Sequence, residues 1–180
     1  MKARRVKGLD PDRSLRENAA RVVEVRLKEL HSFDPAVRDP EAVRELHDMR
    51  IAAKRLRYVL EIAGFAFGPE GQRAEAVVKE LQEVLGEIHD CDVMLPLVEA
   101  HVARLRAEDA RVVAAETRDP AAVAAGLRRA PNRAKYRGLE LLAAGTIARR
   151  ALLYERFLDS WDRLAERGWR DRLLASLRTP

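Results

Sequence analysis

The sequence predicts an all-α protein, an antiparallel bundle of about six helices. Ala, Leu, Arg, Glu and Val recur at helical rather than alternating spacing, and glycine and proline cluster at only a few places. The chain has 180 residues, of which 47% are hydrophobic and 35% charged. That composition is enough for one continuous core and is unlike that of a disordered chain.

Helix boundaries follow from caps and breakers. Ser14 and Glu17 form a candidate capping box, so the first helix begins after Ser14. Pro96 predicts a kink or junction at residues 89–92, just before it, and residues 121–138 form a connection with at most a short helix. The expected helices span about residues 15–33, 40–64, 73–88, 97–116, 139–167 and 169–177. We expect a basic N-terminal tail over residues 1–13 and a single helical domain over residues 14–180.

Charge is distributed unevenly along the chain. Residues 1–38 carry 10 basic and 6 acidic side chains, residues 39–120 carry 11 and 17, and residues 121–180 carry 13 and 6. Arginine outnumbers lysine 28 to 6. Because the guanidinium fork matches phosphate oxygens, a polyanionic partner is one interpretation, and an arginine-rich solvated surface is the other.

The chain is expected to be cytoplasmic. No apolar run approaches the roughly 20 residues that cross a bilayer, and the basic start lacks an apolar signal core. Its single cysteine, Cys91, excludes an internal disulfide and a cysteine-rich zinc site.

The second predicted helix carries two adjacent stripes. Its core stripe is Leu46, Met49, Ala53, Leu56 and Leu60, which fall within a sector of about 80°. A basic row beside it falls within another sector of about 80° and extends over about 15 Å: it consists of His47, Arg50, Lys54 and Arg57. Acidic residues nearby can neutralise part of this row: Glu61, Glu80, Glu83 and Asp90. The charge that remains would attract a repeating anion such as a chain of phosphates. The alternative is that the row is only a solvated helix face.

Two motifs in this region resemble one family. The segment LHDMRIAAKRLRYVLE (46–61), followed by LQEVLGEIHDCDV (81–93), is similar to the CHAD domain, the conserved histidine α-helical domain. Weaker agreement occurs over residues 17–30 and 147–161. The resemblance implies a helical bundle that binds inorganic polyphosphate in a basic channel, as a binding or targeting module without catalysis.

The resemblance also implies site residues. His47, Arg50, Lys54 and Arg57 match the family's basic motif, and Asp90 matches an acid that often follows an arginine. Here His89 stands in place of that arginine, so we assign Asp90 an orienting role toward an arginine of the second helix. No second copy of the motif exists in the chain. The expected additional cations are Arg149, Arg150 and Arg156 from the C-terminal half, and Arg26 as a weaker candidate.

Other functions remain as alternatives. A metal-dependent phosphohydrolase built from His47, His89, Asp90, Asp92 and His101 lacks the ligand spacing of known motifs. A catalytic Cys91 is disfavoured because two neighbouring aspartates raise a thiol pKa. Nucleic acid is expected only as a weaker competitor, since Tyr58 alone lies near the row. We expect no cofactor and no metal, and we favour a monomer with a homodimer as the alternative. Association with polyphosphate granules is an open extension of the cytoplasmic location.

Overall fold

A computed structural model describes residues 2–117 and 119–178. Four residues lie outside the described part: Met1, where the predicted tail begins, Arg118, and Thr179 and Pro180, where the predicted domain ends. Within the described part, helices and turns account for all regular structure, which confirms the all-α prediction. The α-helices are α1 (Leu15–His31), α2 (Val43–Ala63), α3 (Gly68–Glu116), α4 (Pro120–Arg128), α5 (Arg133–Glu166) and α6 (Trp169–Arg178). Short 3-10 turns occupy Ala36–Arg38 and Gly64–Phe67.

The chain divides into two compact units. The first comprises the residues up to His89 together with those from Leu153 onward, and the second comprises Asp90–Leu152. Two helices, α3 and α5, pass from one unit into the other. The two units are described separately below.

The start of α1 follows the expected capping box. The Glu17 backbone N–H donates to Ser14 Oγ at 3.2 Å, and the Ser14 backbone N–H donates to Glu17 Oε2 at 3.0 Å. Two backbone donors at the helix start are thereby paired, which stabilises the first turn. Just before it, the Asp10 N–H donates to Asn18 Oδ1 at 3.0 Å, so the end of the non-helical N-terminal segment is attached to α1.

The predicted junction at residues 89–92 is wrong. α3 runs unbroken for 49 residues through Pro96. A proline inside a helix removes the single backbone bond to the carbonyl four residues earlier, at a cost of about 3 kcal/mol. Cys91 and Val98, which are buried on either side of it, keep the helix packed across the defect.

The second unit also begins α5 earlier than expected. The short helix predicted within residues 121–138 is α4, but α5 begins at Arg133 rather than near residue 139. Asn132 donates to Oδ1 of the buried Asp109 twice, from its backbone N–H at 3.2 Å and from Nδ2 at 3.0 Å. This anchor to α3 fixes the residue that precedes α5.

The core of the first unit contains the predicted stripe of α2. All five stripe residues are buried, and so are Tyr154, Phe157 and Trp161 of α5. Two of these aromatics also satisfy polar atoms: Tyr154 Oη donates to the Val37 carbonyl at 3.0 Å, and Trp161 Nε1 donates to Asp34 Oδ1 at 2.5 Å. The basic row of α2 therefore lies on a helix whose other side is held in the core.

The turn from α2 to α3 requires glycine. A Cβ at Gly71 would lie 2.1 Å from the Gly64 carbonyl oxygen, so the backbones approach too closely for any side chain there. Gly68, with φ of +63°, reverses the chain between them. This turn brings the start of α3 back beside the end of α2.

Candidate anion-binding site

The basic row lies along the line where α2 faces α3 in the first unit. Near its start, His47 Nδ1 is 3.2 Å from His89 Nδ1 on α3. One turn later, Arg50 Nε is 3.6 Å from the position that a Cβ at Gly86 would occupy. From the first contact to the second, the residue number rises by three on α2 and falls by three on α3, so the two helices are antiparallel. Both contacts therefore fit one and the same pairing of residues between the helices.

Arg50 and Lys54 are the cations of the row that have no counter-charge. Within residues 2–117 and 119–178, neither forms an ion pair, and the buried Nε of Arg50 has no hydrogen-bond acceptor. A buried donor without an acceptor costs roughly 1–3 kcal/mol. An anion that binds the row would therefore satisfy a group that the folded chain leaves unpaired.

Arg57 is only weakly neutralised. Its Nε lies 3.0 Å from Glu61 Oε1, one turn further along α2, but the N–H does not point at that oxygen and makes no hydrogen bond. The Glu61 side chain is 40% exposed, so water screens the pair. The guanidinium thus remains available to a multivalent anion.

One aromatic ring lies beside the row. The Tyr58 ring has Lys54 Nζ at 5.7 Å and the Arg57 guanidinium at 5.4 Å from its centroid. Both are within cation–π range, and the ring itself is exposed. Tyr58 restricts the two cations to one side of the helix.

The contact between His47 and His89 could not be read from the sequence. Their rings lie 4.4 Å apart between centroids, and the Nδ1 contact requires one ring to donate and the other to accept. The antiparallel register of α2 and α3 was the missing information, because 42 residues separate the two histidines.

The same register places Gln82 opposite Lys54 and Lys79 opposite Arg57. Gln82 Oε1 is buried and has no hydrogen-bond partner in the described part of the chain. Since the two ends of the carboxamide are interchangeable by a flip, this position can instead offer an N–H to an anion. Sequence reasoning missed Gln82 because glutamine carries no charge signal.

These residues lie within a segment that a family comparison recognises. The model of the CHAD domain family matches residues 2–99, more than half of the chain, and this range holds α1, α2, the basic row and His89. The chain belongs to the CHAD domain family. Comparison with curated proteins finds no match, and comparison with solved structures finds none.

Three of the predicted site residues lie in the second unit of this CHAD domain. Asp90, the first residue of this unit, is exposed. The orienting role of Asp90 stays a prediction. Arg150 forms an ion pair with the largely buried Asp92, and the preceding residue, Arg149, is exposed. Burial raises the pKa of the Cys91 thiol and the aspartates on either side raise it further, while Arg149 and Arg150 partly oppose them.

Arg156 lies in the first unit but away from the row. It lines a cavity of about 440 Å³ between α3 and α5, together with Glu80, Glu83 and Glu87. At about 100° per residue, these glutamates are about 120° around α3 from Gly86 and His89, which face α2. The structure therefore does not bring Arg156, Glu80 or Glu83 to the basic row.

Arg26 is held by a structural cluster. Its Nη1 donates to Glu29 Oε2 at 2.7 Å and to the Arg4 carbonyl at 3.0 Å. Glu29 is 1% exposed and also accepts from Arg55 Nη1 at 2.9 Å. These contacts connect the N-terminal segment, α1 and α2, and they give Arg26 a role in folding.

Within residues 2–117 and 119–178, no group of three or more histidine, cysteine, aspartate or glutamate side chains is placed to hold a metal ion. In the same residues, no helix combines the length and the apolar character needed to span a bilayer.

Proposed function

We propose that this CHAD domain binds inorganic polyphosphate along the basic row of α2. The observation that carries the proposal is that Arg50 and Lys54, two cations on adjacent turns of one helix face, form no ion pair within the described residues. With His47 before them and Arg57 after them, the row presents a basic side chain at every turn over about 15 Å. Polyphosphate offers negative charge at each repeat, so one chain can bridge successive turns.

The physical basis of binding is charge-assisted hydrogen bonding. Arginine forks donate two parallel N–H bonds to phosphate oxygens, and lysine provides a compact charge beside them. The Arg57–Glu61 ion pair is partly exposed, and pairs of this kind are worth about 1 kcal/mol, so a polyanion can replace the carboxylate. Gln82 and His89 of α3 lie opposite the row, and the Gln82 carboxamide can add an N–H donor.

We further propose that the domain binds without catalysing a reaction. The row offers guanidinium, ammonium and imidazole groups, and Gln82 on α3 offers a carboxamide; all of these are groups that can hold a phosphate. Binding to a storage polymer or recruitment to it would be the role of such a module. The cytoplasmic location remains a prediction from the sequence, as does the favoured monomer with a homodimer as its alternative.

A titration with a matched control tests the site. We expect the triple variant Arg50→Ala, Lys54→Ala, Arg57→Ala to lose more than about 100-fold in polyphosphate affinity, at about 1 kcal/mol for each partly exposed contact. The control replaces Arg111, Arg128 and Arg129, three exposed arginines of the second unit, with alanine and so removes the same net charge. An equal loss in both variants would show that net charge, and not this site, determines binding.

The ligand class is tested by competition. Single-stranded RNA matched in phosphate content should displace labelled polyphosphate only at much higher concentration, because the row has one exposed ring, Tyr58, on which bases could stack. Displacement at equal phosphate concentration would make nucleic acid the ligand instead.

A further inference from the structure

An apolar stripe runs along α5 in the second unit. It consists of Ala134, Gly138, Leu141, Gly145, Ala148 and Leu152, spaced alternately four and three residues apart. At about 100° per residue these positions fall within a sector of about 80°, and all of them are exposed. We call these six residues the heptad stripe. Apolar residues repeating in this way form the contact seam of paired helices.

Within the described residues of the second unit, nothing covers the heptad stripe. Leu141 is 76% exposed and Leu152 is 67% exposed. A Cβ added at Gly138 or at Gly145 would meet no atom within 4 Å. α5 buries a different side of itself in this unit, because the buried Thr146 lies about 120° around the helix from the centre of the stripe.

The second unit as a whole exposes more large apolar side chains than it buries. Its buried apolar residues are Cys91, Val98, Leu105, Val113 and Ala130. Its exposed large apolar residues are Val93, Met94, Leu97, Val112, Leu127, Leu141, Leu142, Ile147 and Leu152. Single exposed apolar residues are ordinary, but a repeating row of them indicates a surface that packs against a partner.

We propose that a second copy of this chain docks on the heptad stripe, with its own α5 antiparallel and a two-fold axis passing beside Gly145. In this register Leu152 faces the partner's Gly138 and Leu141 faces the partner's Ala148. Each large side chain thus meets a small one, and the two Gly145 positions let the helices approach at the axis. Alternation of large and small residues across facing positions is what close packing of two helices requires.

The stripe selects this partner and this orientation. A parallel pair would place each residue against its own copy, so leucine would crowd leucine while Gly145 and Ala148 left gaps. In the antiparallel pair the flanking Arg137 comes beside the partner's Ala151, and Arg149 comes beside the partner's Leu142. From Arg137 to Leu152 no like charges oppose each other, so this part of the pattern is compatible with a second copy of itself.

The dimer should be weak. The stripe extends over about 28 Å, and one helix pair of that length falls short of the roughly 800 Å² per partner of standard interfaces. We therefore expect a dissociation constant in the micromolar range, at about −8 kcal/mol. The inference rests on the second unit alone and is independent of polyphosphate binding.

Sedimentation across a concentration series tests the dimer. The parent should shift from monomer to dimer between about 1 and 200 µM, and Leu141→Glu should weaken association at least tenfold. Ile147→Glu is the matched control, because Ile147 is 54% exposed on the same helix but about 140° away from the stripe. A parent that is monomeric throughout would overturn the proposal, as would equal weakening by both variants.

Disulfide trapping tests the orientation. In a Cys91→Ala background, a mixture of Leu152→Cys and Gly138→Cys chains should form a mixed disulfide, since these positions face each other only when the helices are antiparallel. Gly145→Cys should link to itself, and Ile147→Cys should not. Mild oxidation followed by non-reducing electrophoresis reads out each product. Absence of the mixed disulfide, or equal linking through Ile147→Cys, would refute the antiparallel pair.

Discussion

Removal of the buried Glu29 carboxylate should destabilise the first unit strongly. Glu29 is 1% exposed and binds Arg26, Arg55 and the Arg4 backbone N–H. Glu29→Ala leaves two guanidinium groups, which are 14% and 25% exposed, without their carboxylate. Breaking a buried ion pair by deleting one partner costs about 3–5 kcal/mol.

The same helix provides the control for that prediction. Glu24 pairs with Lys28 at 2.7 Å, but both side chains are about half exposed. Glu24→Ala should therefore cost less than about 0.5 kcal/mol, the usual value of an exposed helical pair. Urea unfolding followed by circular dichroism measures both variants. A Glu29→Ala variant within about 1 kcal/mol of Glu24→Ala would refute the assignment of this cluster as a stability centre.

Two further predictions concern titratable groups. Burial beside Trp161 and Trp169, together with the nearby Arg170, lowers the pKa of His31 from 6.5 to about 4. As the pH falls, His31 is protonated in the unfolded chain at a higher pH than in the folded protein. The free energy of unfolding should therefore fall by about 1–2 kcal/mol, after allowance for screening, as pH drops from 6.5 toward 4. His31→Gln should flatten the pH dependence of the urea midpoint, and an unchanged slope would contradict this cause. The Cys91 thiol, with its raised pKa, should react with a disulfide reagent at pH 8 only in urea, and rapid reaction of the folded protein would contradict its burial.

The features predicted well are those that sequence-local physics determines. The Ser14–Glu17 capping box involves residues three positions apart, and the core stripe of α2 follows from helical periodicity alone. The helix boundaries predicted around Pro96 were wrong because the free-energy cost of a proline inside a helix is offset by packing along α3. That packing cannot be seen in the sequence. The early start of α5 likewise depends on Asn132 reaching Asp109, 23 residues away.

The candidate site divides in the same way. The basic row is periodic along one helix, so it could be identified from the sequence. The opposite wall could not, because the positions of His89, Gly86 and Gln82 depend on how α3 packs against α2. Arg156 shows the converse: from the sequence it is expected among the additional cations, but α3 separates it from the row and presents glutamates to it.

The salt dependence of polyphosphate binding tests the central claim most directly. Each cation that neutralises a phosphate releases counterions, so the plot of log affinity against log salt has a slope of roughly −0.7 per contact for a flexible single chain. The parent should give a steep slope, and replacement of Arg50, Lys54 and Arg57 by alanine should make it shallower by about 2, whereas the control variant at Arg111, Arg128 and Arg129 should keep the parent's slope. An unchanged slope in the row variant would show that these three cations do not contact the polymer, and would contradict the assignment of the basic row as the binding site.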